Sequence, residues 1–207
     1  MNPGRSAAGA VVLAGGRSSR MGRDKAWLRY RGQALLCHVL DVTAEVVDVR
    51  VIVARKGQRL PCWPEGVGRI DDPPDREGEG PLAAAVAGLR RLADQGVERA
   101  VLTSCDAAAL RGRDVELLLG RLGGSVHAAV PRDPEGRWQP LLAGYAPGPV
   151  AERGERLLAQ GRRSLRALVA ALPPEALVEV SPEELSSPSV LWPCNTPDQF
   201  ARLERLT

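Results

Sequence analysis

The sequence contains few aromatic residues, few histidines and no closely spaced cysteines. Its 207 residues include four tryptophans, two tyrosines and one phenylalanine, and the two histidines are His38 and His127. Because no Cys-x-x-Cys pair is present, a structural zinc site is not expected. The four cysteines are Cys37, Cys62, Cys105 and Cys194.

Long apolar segments are also absent from the sequence. No run of about 18 apolar residues occurs, although a membrane-spanning helix requires one. Residues 1–9 lack the apolar core that a signal peptide needs. We therefore expect a cytoplasmic protein with reduced thiols and no contact with a membrane.

The charge of the chain is too evenly spread for a nucleic-acid-binding protein. Lysine and arginine total 28 residues against 25 acidic ones, which gives a formal net charge of +3. Basic residues are denser in segment 17–25 and at Arg162, Arg163 and Arg166. This pattern favours sites for small anionic molecules over a nucleic-acid surface, which needs a continuous basic face.

Strand-like and helix-like patterns alternate along the chain. This alternation is typical of a mainly parallel sheet with helices on both faces, so we predict a Rossmann-like three-layer α/β/α fold. The predicted strands are Ala10–Leu13, Val49–Ala54, Gly68–Asp71, Ala100–Ser104, Val126–Pro131, Pro140–Ala146, Leu177–Val180 and Val190–Leu191. The predicted helices are Ala34–Val47, Pro81–Asp94, Asp114–Leu122, Ser164–Leu172 and Pro197–Leu206.

Segment 13–28 carries the strongest functional signal. It follows the first predicted strand and combines Gly15 and Gly16 with Arg20, Lys25 and further arginines. Glycine lets the backbone approach a ligand closely, and arginine and lysine neutralise phosphate charge. The spacing is neither that of a P-loop nor that of the dinucleotide-binding motif. We interpret the segment as a triphosphate-binding loop, the alternative being a glycine-rich turn with solvated arginines.

Three carboxylates lie at or just beyond the ends of predicted strands. Asp106 comes shortly after the strand that ends at Ser104. Asp71 and Asp72 lie at the end of an earlier strand and precede a helix that starts at Gly80 and Pro81. Carboxylates that face a triphosphate need a cation between them, and Mg²⁺ commonly fills that role. We therefore predict Asp106 as a metal ligand. The alternatives are that Asp106 caps the next segment and that Asp71 and Asp72 are only solvated.

These motifs, in this order and over nearly the whole chain, resemble those of the molybdenum cofactor guanylyltransferases of the nucleotidyltransferase superfamily. The resemblance implies the nucleotide-diphospho-sugar transferase type of fold in a single domain, 1–207, with an NTP-binding half at 8–110 and an acceptor-binding half at 111–207. The matching motifs are Leu13-Ala14-Gly15-Gly16, Arg20-Met21-Gly22-x-Asp24-Lys25, Gly80-Pro81-Leu82, Cys105-Asp106, Gln139-Pro140-Leu141 with Tyr145, Arg163-Ser164-Leu165-Arg166 and Asn195-Thr196-Pro197.

The resemblance also implies a reaction and a set of site residues. GMP would pass from GTP to the terminal phosphate of the molybdopterin cofactor, pyrophosphate would leave, and a molybdoenzyme or its chaperone would contact the protein transiently. Catalysis would fall to Lys25, Asp106 and Arg20, with Mg²⁺ on Asp106. Acceptor binding would fall to Arg163, Arg166 and Asn195. Nucleotide binding would involve Leu13, Ala14, Gly15, Gly16, Lys25, Asp72 or Asp71, Gly80, Pro81 and Asp106.

The chain departs from the family pattern in two segments that bear on this function. Arg55 follows the second predicted strand where relatives usually carry asparagine, and Ala107, Ala108 and Ala109 follow Asp106 where a Pro-Phe pair is usual. Alternative functions are therefore cytidylyl transfer to the same cofactor or nucleotidyl transfer to another phosphorylated acceptor. A third is a degenerate, non-enzymatic cofactor-binding chaperone for a molybdoenzyme.

Overall fold

The computed structural model describes residues 7–15, 24–72, 80–192 and 199. Within these residues a seven-stranded sheet lies at the centre of the protein. Its strands are β1 (Ala8–Leu13), β4 (Val49–Arg55), β5 (Val67–Asp72), β6 (Arg99–Ser104), β7 (Ala128–Pro131), β8 (Ala143–Tyr145) and β9 (Leu177–Val180). A separate two-stranded sheet consists of β2 (Arg29–Tyr30) and β3 (Gln33–Ala34).

The large sheet has the strand order β5-β4-β1-β6-β8-β7-β9. Strand β8 runs antiparallel to both of its neighbours, and the remaining pairs are parallel. The carboxyl ends of β5, β4, β1 and β6 therefore lie along one edge, where ligands bind in sheets of this kind. The predicted α/β fold with a mainly parallel sheet is confirmed.

Helices cover both faces of the large sheet and bury two apolar clusters against it. Helices α1 and α3 contribute to one cluster, and α2, α4 and α5 contribute to the other. Among the described residues, no helix is both long enough and apolar enough to cross a membrane. The helices are α1 (Leu35–Ala44), α2 (Pro81–Asp94), α3 (Gly112–Gly120), α4 (Pro147–Ala159) and α5 (Leu165–Ala170).

Helix α2 packs closely against the sheet on one side and against α4 on the other. A Cβ atom added to Gly88 would lie 2.4 Å from a methyl group of Val11 in β1. A Cβ atom added to Gly154 of α4 would lie 2.3 Å from a methyl group of Val86 in α2. Both distances are shorter than side chains allow, so glycine at these two positions sets the separation between the layers.

The structure differs from the sequence-based expectation in several elements. The predicted strand Val190–Leu191 is wrong, because Ser187 caps a 3₁₀ turn there, Pro188–Leu191, that begins with proline. Helix α4 was not predicted, since Pro147-Gly148-Pro149 at its start is typical of a turn. The short strands β2 and β3 were also missed. The predicted helix Pro197–Leu206 lies outside the described residues, apart from Gln199.

The expectation of reduced thiols is wrong for Cys37 and Cys62. These residues form a disulfide between α1 and the segment that joins β4 to β5, with Cα atoms 5.9 Å apart. They are 25 residues apart in sequence, and only the packing of α1 beside that segment brings them together. Cys105 remains a free, buried thiol, and its burial raises its pKa.

The close contact between α2 and β1 generates a testable prediction. We expect Gly88→Ala to lower the free energy of unfolding by about 1–3 kcal/mol, because the new methyl group overlaps Val11. The matched control is Gly120→Ala in α3, where a Cβ atom would have no neighbour within 4 Å. We expect that change to be neutral or slightly stabilising. Urea denaturation measures both, and unchanged stability of Gly88→Ala would contradict the close approach of α2 to β1.

Candidate active site

Strand β1 lies between β4 and β6, so the segments that follow these strands begin close together. In the sheet register, Leu13 pairs with Val53 of β4 on one side and with Ser104 of β6 on the other. Just beyond the strand, the Ala14 N–H donates to the Val53 carbonyl at 2.8 Å, and the Cys105 N–H donates to the Leu13 carbonyl at 3.0 Å. The segments that follow β1 and β6 therefore start side by side.

A lysine and an aspartate from these two segments form an ion pair. Lys25 Nζ lies 2.5 Å from Asp106 Oδ2, and the two side chains are only 17% and 16% exposed. The other carboxylate oxygen, Oδ1, accepts a hydrogen bond from Ser104 Oγ at 2.5 Å. A positive and a negative group are thus held in orientation at the carboxyl edge of the sheet.

The segment after Asp106 is a compact turn in spite of its three alanines. Within it, the Ala108 N–H donates to the Asp106 carbonyl at 2.9 Å, and the Leu110 N–H donates to the Ala107 carbonyl at 3.1 Å. The ring of His38 contacts the Ala108 carbonyl through Nε2 at 3.0 Å. Burial lowers the pKa of His38 below its usual value of 6.5. The three alanines therefore do not prevent a hydrogen-bonded turn from forming directly after Asp106.

The backbone also packs closely where β1 ends beside β4. A Cβ atom added to Gly15 would lie 3.3 Å from the backbone nitrogen of Arg55, at the end of β4. Gly15 therefore allows the chain to pass close to the end of that strand. Three further residues of the predicted loop or acceptor site, Gly16, Arg20 and Asn195, lie outside the described residues.

A buried glutamine, which the sequence interpretation missed, joins the ends of β1 and β4. Gln58 Nε2 donates to the Ala14 carbonyl at 3.0 Å and to Asp24 Oδ2 at 2.8 Å. Its Oε1 accepts from the Arg55 N–H at 3.0 Å. The only sequence signal for this role is a long polar side chain shortly after a buried strand, which is too common to single out one residue.

The acids at the end of β5 have different surroundings. Asp71 is exposed and pairs with Arg69 in its own strand, at 2.8 Å. Asp72 is half-buried and lies opposite Arg55 in the register of β4 and β5, at the same edge as the Lys25–Asp106 pair. Of the two, Asp72 is therefore the better candidate for a contact with a ligand at this edge.

Gly80 and Pro81 start α2 as the sequence predicted. Gly80 has a φ of +89°, and a Cβ atom added to it would lie 2.8 Å from the carbonyl oxygen of Arg163. The Leu82 N–H approaches the same carbonyl at 3.4 Å. The Arg163 guanidinium donates to the Leu158 carbonyl at the end of α4, 2.7 Å away. The structure thus places the backbone of Arg163 beside the start of α2.

A cleft of about 470 Å³ extends from Asp106 toward the second half of the chain. Its lining combines the positive charge of Arg166 and the aromatic surface of Trp192 with three acids. The acids are Asp106, Asp133 and Glu135, and the last two are paired with Arg137. Arg166 is therefore in the same cleft as Asp106, whereas Arg163 is not part of its lining. Within this mixed lining, Arg166 can contact an anionic group of a ligand and Trp192 can contact a ring.

Asp133 organises one wall of this cleft. Its carboxylate is buried and accepts hydrogen bonds from the Glu135 and Arg137 N–H groups, from the Arg137 guanidinium and from the Gln139 amide. Burial works to raise the pKa of Asp133, but the bonds from Arg137 and Gln139 outweigh it and hold the pKa below its usual value. These hydrogen bonds fix the positions of the residues between Asp133 and Gln139.

The donor chemistry at this edge fits a magnesium ion shared with a phosphate ligand. Asp106 supplies a carboxylate, the hard oxygen ligand that Mg²⁺ prefers, and Mg²⁺ usually needs only one or two carboxylates besides phosphate oxygens. Within residues 7–15, 24–72, 80–192 and 199, no cluster of three or more His, Cys, Asp or Glu residues is positioned to hold a metal. An all-protein metal cage is therefore not present in this part of the chain.

The Rossmann-like fold, with a lysine–aspartate pair at the carboxyl edge of its sheet, is that of a nucleotidyltransferase. Residues 10–177 match the family described as the MobA-like NTP transferase domain. The chain belongs to this family, which confirms the resemblance seen in the sequence.

Relatives and a solved structure agree with this assignment. A probable molybdenum cofactor guanylyltransferase of Mycolicibacterium paratuberculosis is 39% identical over 170 residues, which cover 81% of this chain and 83% of the relative. A protein of the same description from Nostoc sp. is 31% identical and covers 94% of this chain and 89% of its own. The crystal structure of the molybdopterin-guanine dinucleotide biosynthesis protein A of Archaeoglobus fulgidus is 26% identical, with a TM-score of 0.75 and coverage of 96% and 97%.

The surroundings of Asp133 predict a pH-dependent contribution to stability. We expect Asp133→Asn to lower the free energy of unfolding at pH 7 by about 1 kcal/mol, because it loses charge-assisted hydrogen bonds. Since the folded-state pKa is lowered, this contribution is complete above the usual value of 3.8 and is lost as the pH falls through the folded-state pKa.

Urea denaturation at neutral and at acidic pH measures this effect. The stability difference between the wild type and Asp133→Asn should shrink as the pH falls below 3.8. The matched control is Glu135→Gln, a more exposed carboxylate that contacts the same arginine, and its effect should be small at every pH. A difference for Asp133→Asn that stays constant with pH would contradict the role of its charge.

Proposed function

We propose that the protein transfers GMP from GTP to the terminal phosphate of the molybdopterin cofactor and releases pyrophosphate. The half-buried Lys25–Asp106 pair is the observation that carries the chemistry, because nucleotidyl transfer needs both a cation for phosphate charge and a carboxylate for a metal. The family of the chain and the names of its relatives support GTP as the donor and the molybdenum cofactor as the acceptor.

The chemistry of this transfer requires little proton movement. A terminal phosphate oxygen of the acceptor forms a bond to the α-phosphorus of GTP, and the bond from that phosphorus to the bridging α,β oxygen breaks. The acceptor phosphate is already anionic, so it needs no strong base. The protein therefore has to align the two substrates and neutralise their charge.

Lys25 and Asp106 would divide this work. Lys25 would stabilise the negative charge that develops on the departing pyrophosphate, with support from Arg20. Asp106 would hold Mg²⁺, which when bound supplies Lewis-acid polarisation of the phosphate oxygens. Ser104 would keep the Asp106 carboxylate in orientation through its hydrogen bond to Oδ1.

The nucleotide would bind along the carboxyl edge of β1, β4 and β5. Backbone groups at Leu13, Ala14, Gly15 and Gly16 would contact the triphosphate. The start of α2 at Gly80 and Pro81, together with Asp72 and less directly Asp71, would contact the nucleoside. The half-buried position of Asp72 and the exposed ion pair of Asp71 support this order of preference.

The acceptor would bind in the cleft that leads away from Asp106. Arg166 would attract its phosphate, with Asn195 as a further contact, and the aromatic surface of Trp192 would lie against its ring system. Arg163 would act mainly through its backbone beside Gly80. The product would then pass to a molybdoenzyme or its chaperone through a transient contact.

The identity of the nucleotide can be tested by thermal unfolding with GTP, CTP, ATP and UTP, each with Mg²⁺. A ligand at one hundred times its dissociation constant stabilises a protein by about 2.7 kcal/mol, so GTP should raise the melting temperature by several degrees. Stabilisation by CTP alone would favour the cytidylyl alternative, which the arginine at position 55 leaves open. No response to any nucleotide would favour the non-enzymatic alternative.

The role of Asp106 can be tested by the nearly isosteric change Asp106→Asn. We expect turnover of GTP to fall by about 10²–10³-fold while the fold is retained, because an amide cannot replace the charge of a metal-binding carboxylate. The matched control is Asp94→Asn at the exposed end of α2, which should leave turnover unchanged. Full activity of Asp106→Asn in excess Mg²⁺ would remove Asp106 from the mechanism.

A further inference from the structure

The buried side chain of Gln58 contacts three different parts of the active-site edge. It is 8% exposed, and its amide uses both N–H groups and its oxygen. The N–H groups donate to the Ala14 carbonyl and to the Asp24 carboxylate, and the oxygen accepts from the Arg55 N–H. A glutamine can make all three contacts because it carries two donors and one acceptor at the end of a single side chain.

The backbone around Gln58 is itself held in place. The Gln58 N–H donates to the Arg55 carbonyl at 3.0 Å, and the Arg69 guanidinium donates to the carbonyls of both residues. Four residues further on, the Cys37–Cys62 disulfide ties the same segment to α1. The amide therefore projects from a fixed segment toward the ends of two other segments.

The contact with Asp24 leads directly to Lys25. Asp24 Oδ1 caps the 3₁₀ turn Lys25–Trp27 by accepting from the Ala26 N–H. Its Oδ2 accepts from Gln58 at 2.8 Å and from the Arg55 guanidinium at 3.3 Å. Lys25 is the first residue of that turn, and its ammonium group donates a hydrogen bond to the Asp106 carboxylate. Gln58 thus connects the end of β1 to the residue that orients the lysine of the ion pair.

We propose that Gln58 is a positioning residue for nucleotidyl transfer. It fixes Asp24 relative to Ala14, and thereby holds Lys25 where the terminal phosphates of the nucleotide bind. This inference rests on the proposed function, since it assigns Lys25 to those phosphates. The contacts of Gln58 are all at the carboxyl edge of the sheet, so their loss removes alignment of the site without opening the apolar core.

The test compares GTP with GMP, which lacks the β- and γ-phosphates, in binding measured by titration calorimetry. The ratio of the GMP to the GTP dissociation constant reports what the terminal phosphates contribute. We expect Gln58→Met, which keeps the length of the side chain, to lower this ratio about tenfold. The matched control is Gln33→Met, whose amide also donates to an aspartate, but at the surface between β3 and α1.

A second variant separates the donors from the acceptor. Gln58→Glu retains an oxygen for the Arg55 N–H but loses both donors and places a carboxylate beside Asp24. We expect Gln58→Glu to lower the ratio of the GMP to the GTP dissociation constant at least as much as Gln58→Met does. If a Gln58 variant does not fold, Asp24→Asn tests the same connection from the other side, and it too should lower the ratio.

The outcomes distinguish this inference from the proposed function. A wild-type protein that does not bind GTP would overturn the proposed function, and with it any role of Gln58 in that reaction. A wild type that binds GTP, together with Gln58 variants whose GMP to GTP ratio is unchanged, would overturn only the positioning role. Equal weakening of GTP and GMP would also overturn it, because that result indicates general damage to the site.

Discussion

The position of β1 between β4 and β6 is the constraint on which the rest of the site depends. Its register sets Leu13 beside Val53 and Ser104, so the segments that leave the three strands start within hydrogen-bonding distance of one another. Residues that are far apart in sequence, such as Lys25 and Asp106, can then meet at one edge. A shift of β1 by one residue would turn its side chains to the opposite face and separate these segments.

The ion pair at this edge is suited to a site whose ligands are highly charged. Each member compensates the charge of the other, so neither is left as an isolated charge in a mostly buried position. The same two groups have opposite preferences for ligands, because the ammonium attracts phosphate and the carboxylate attracts a cation. Loss of either member alone would leave the other as an uncompensated charge at this edge, which is costly.

The sequence predicts the features of this protein that are local and misses those that depend on distant contacts. Apolar runs that end in Leu13 and Asp106 indicated both the strands and the edge at which they meet, and Lys25 stood out by its spacing from the glycines. The strand predicted at Val190–Leu191 failed because a proline-initiated turn also buries a short apolar pair. The Cys37–Cys62 disulfide and the contacts of Gln58 join segments whose proximity only the fold creates, so no local pattern reveals them.

The glycine contacts of α2 have a consequence for how such proteins can diverge and recombine. Helix α2 comes from the first half of the chain, yet it packs against β1 through Gly88 and against α4, from the second half, through Gly154. A chimera that joined the first half of this protein to the second half of a relative would bring Val86 against whatever residue that relative carries at position 154. Any side chain larger than glycine there would force the two helices apart. The two halves of the chain can therefore be exchanged only with relatives that also carry glycine at this position.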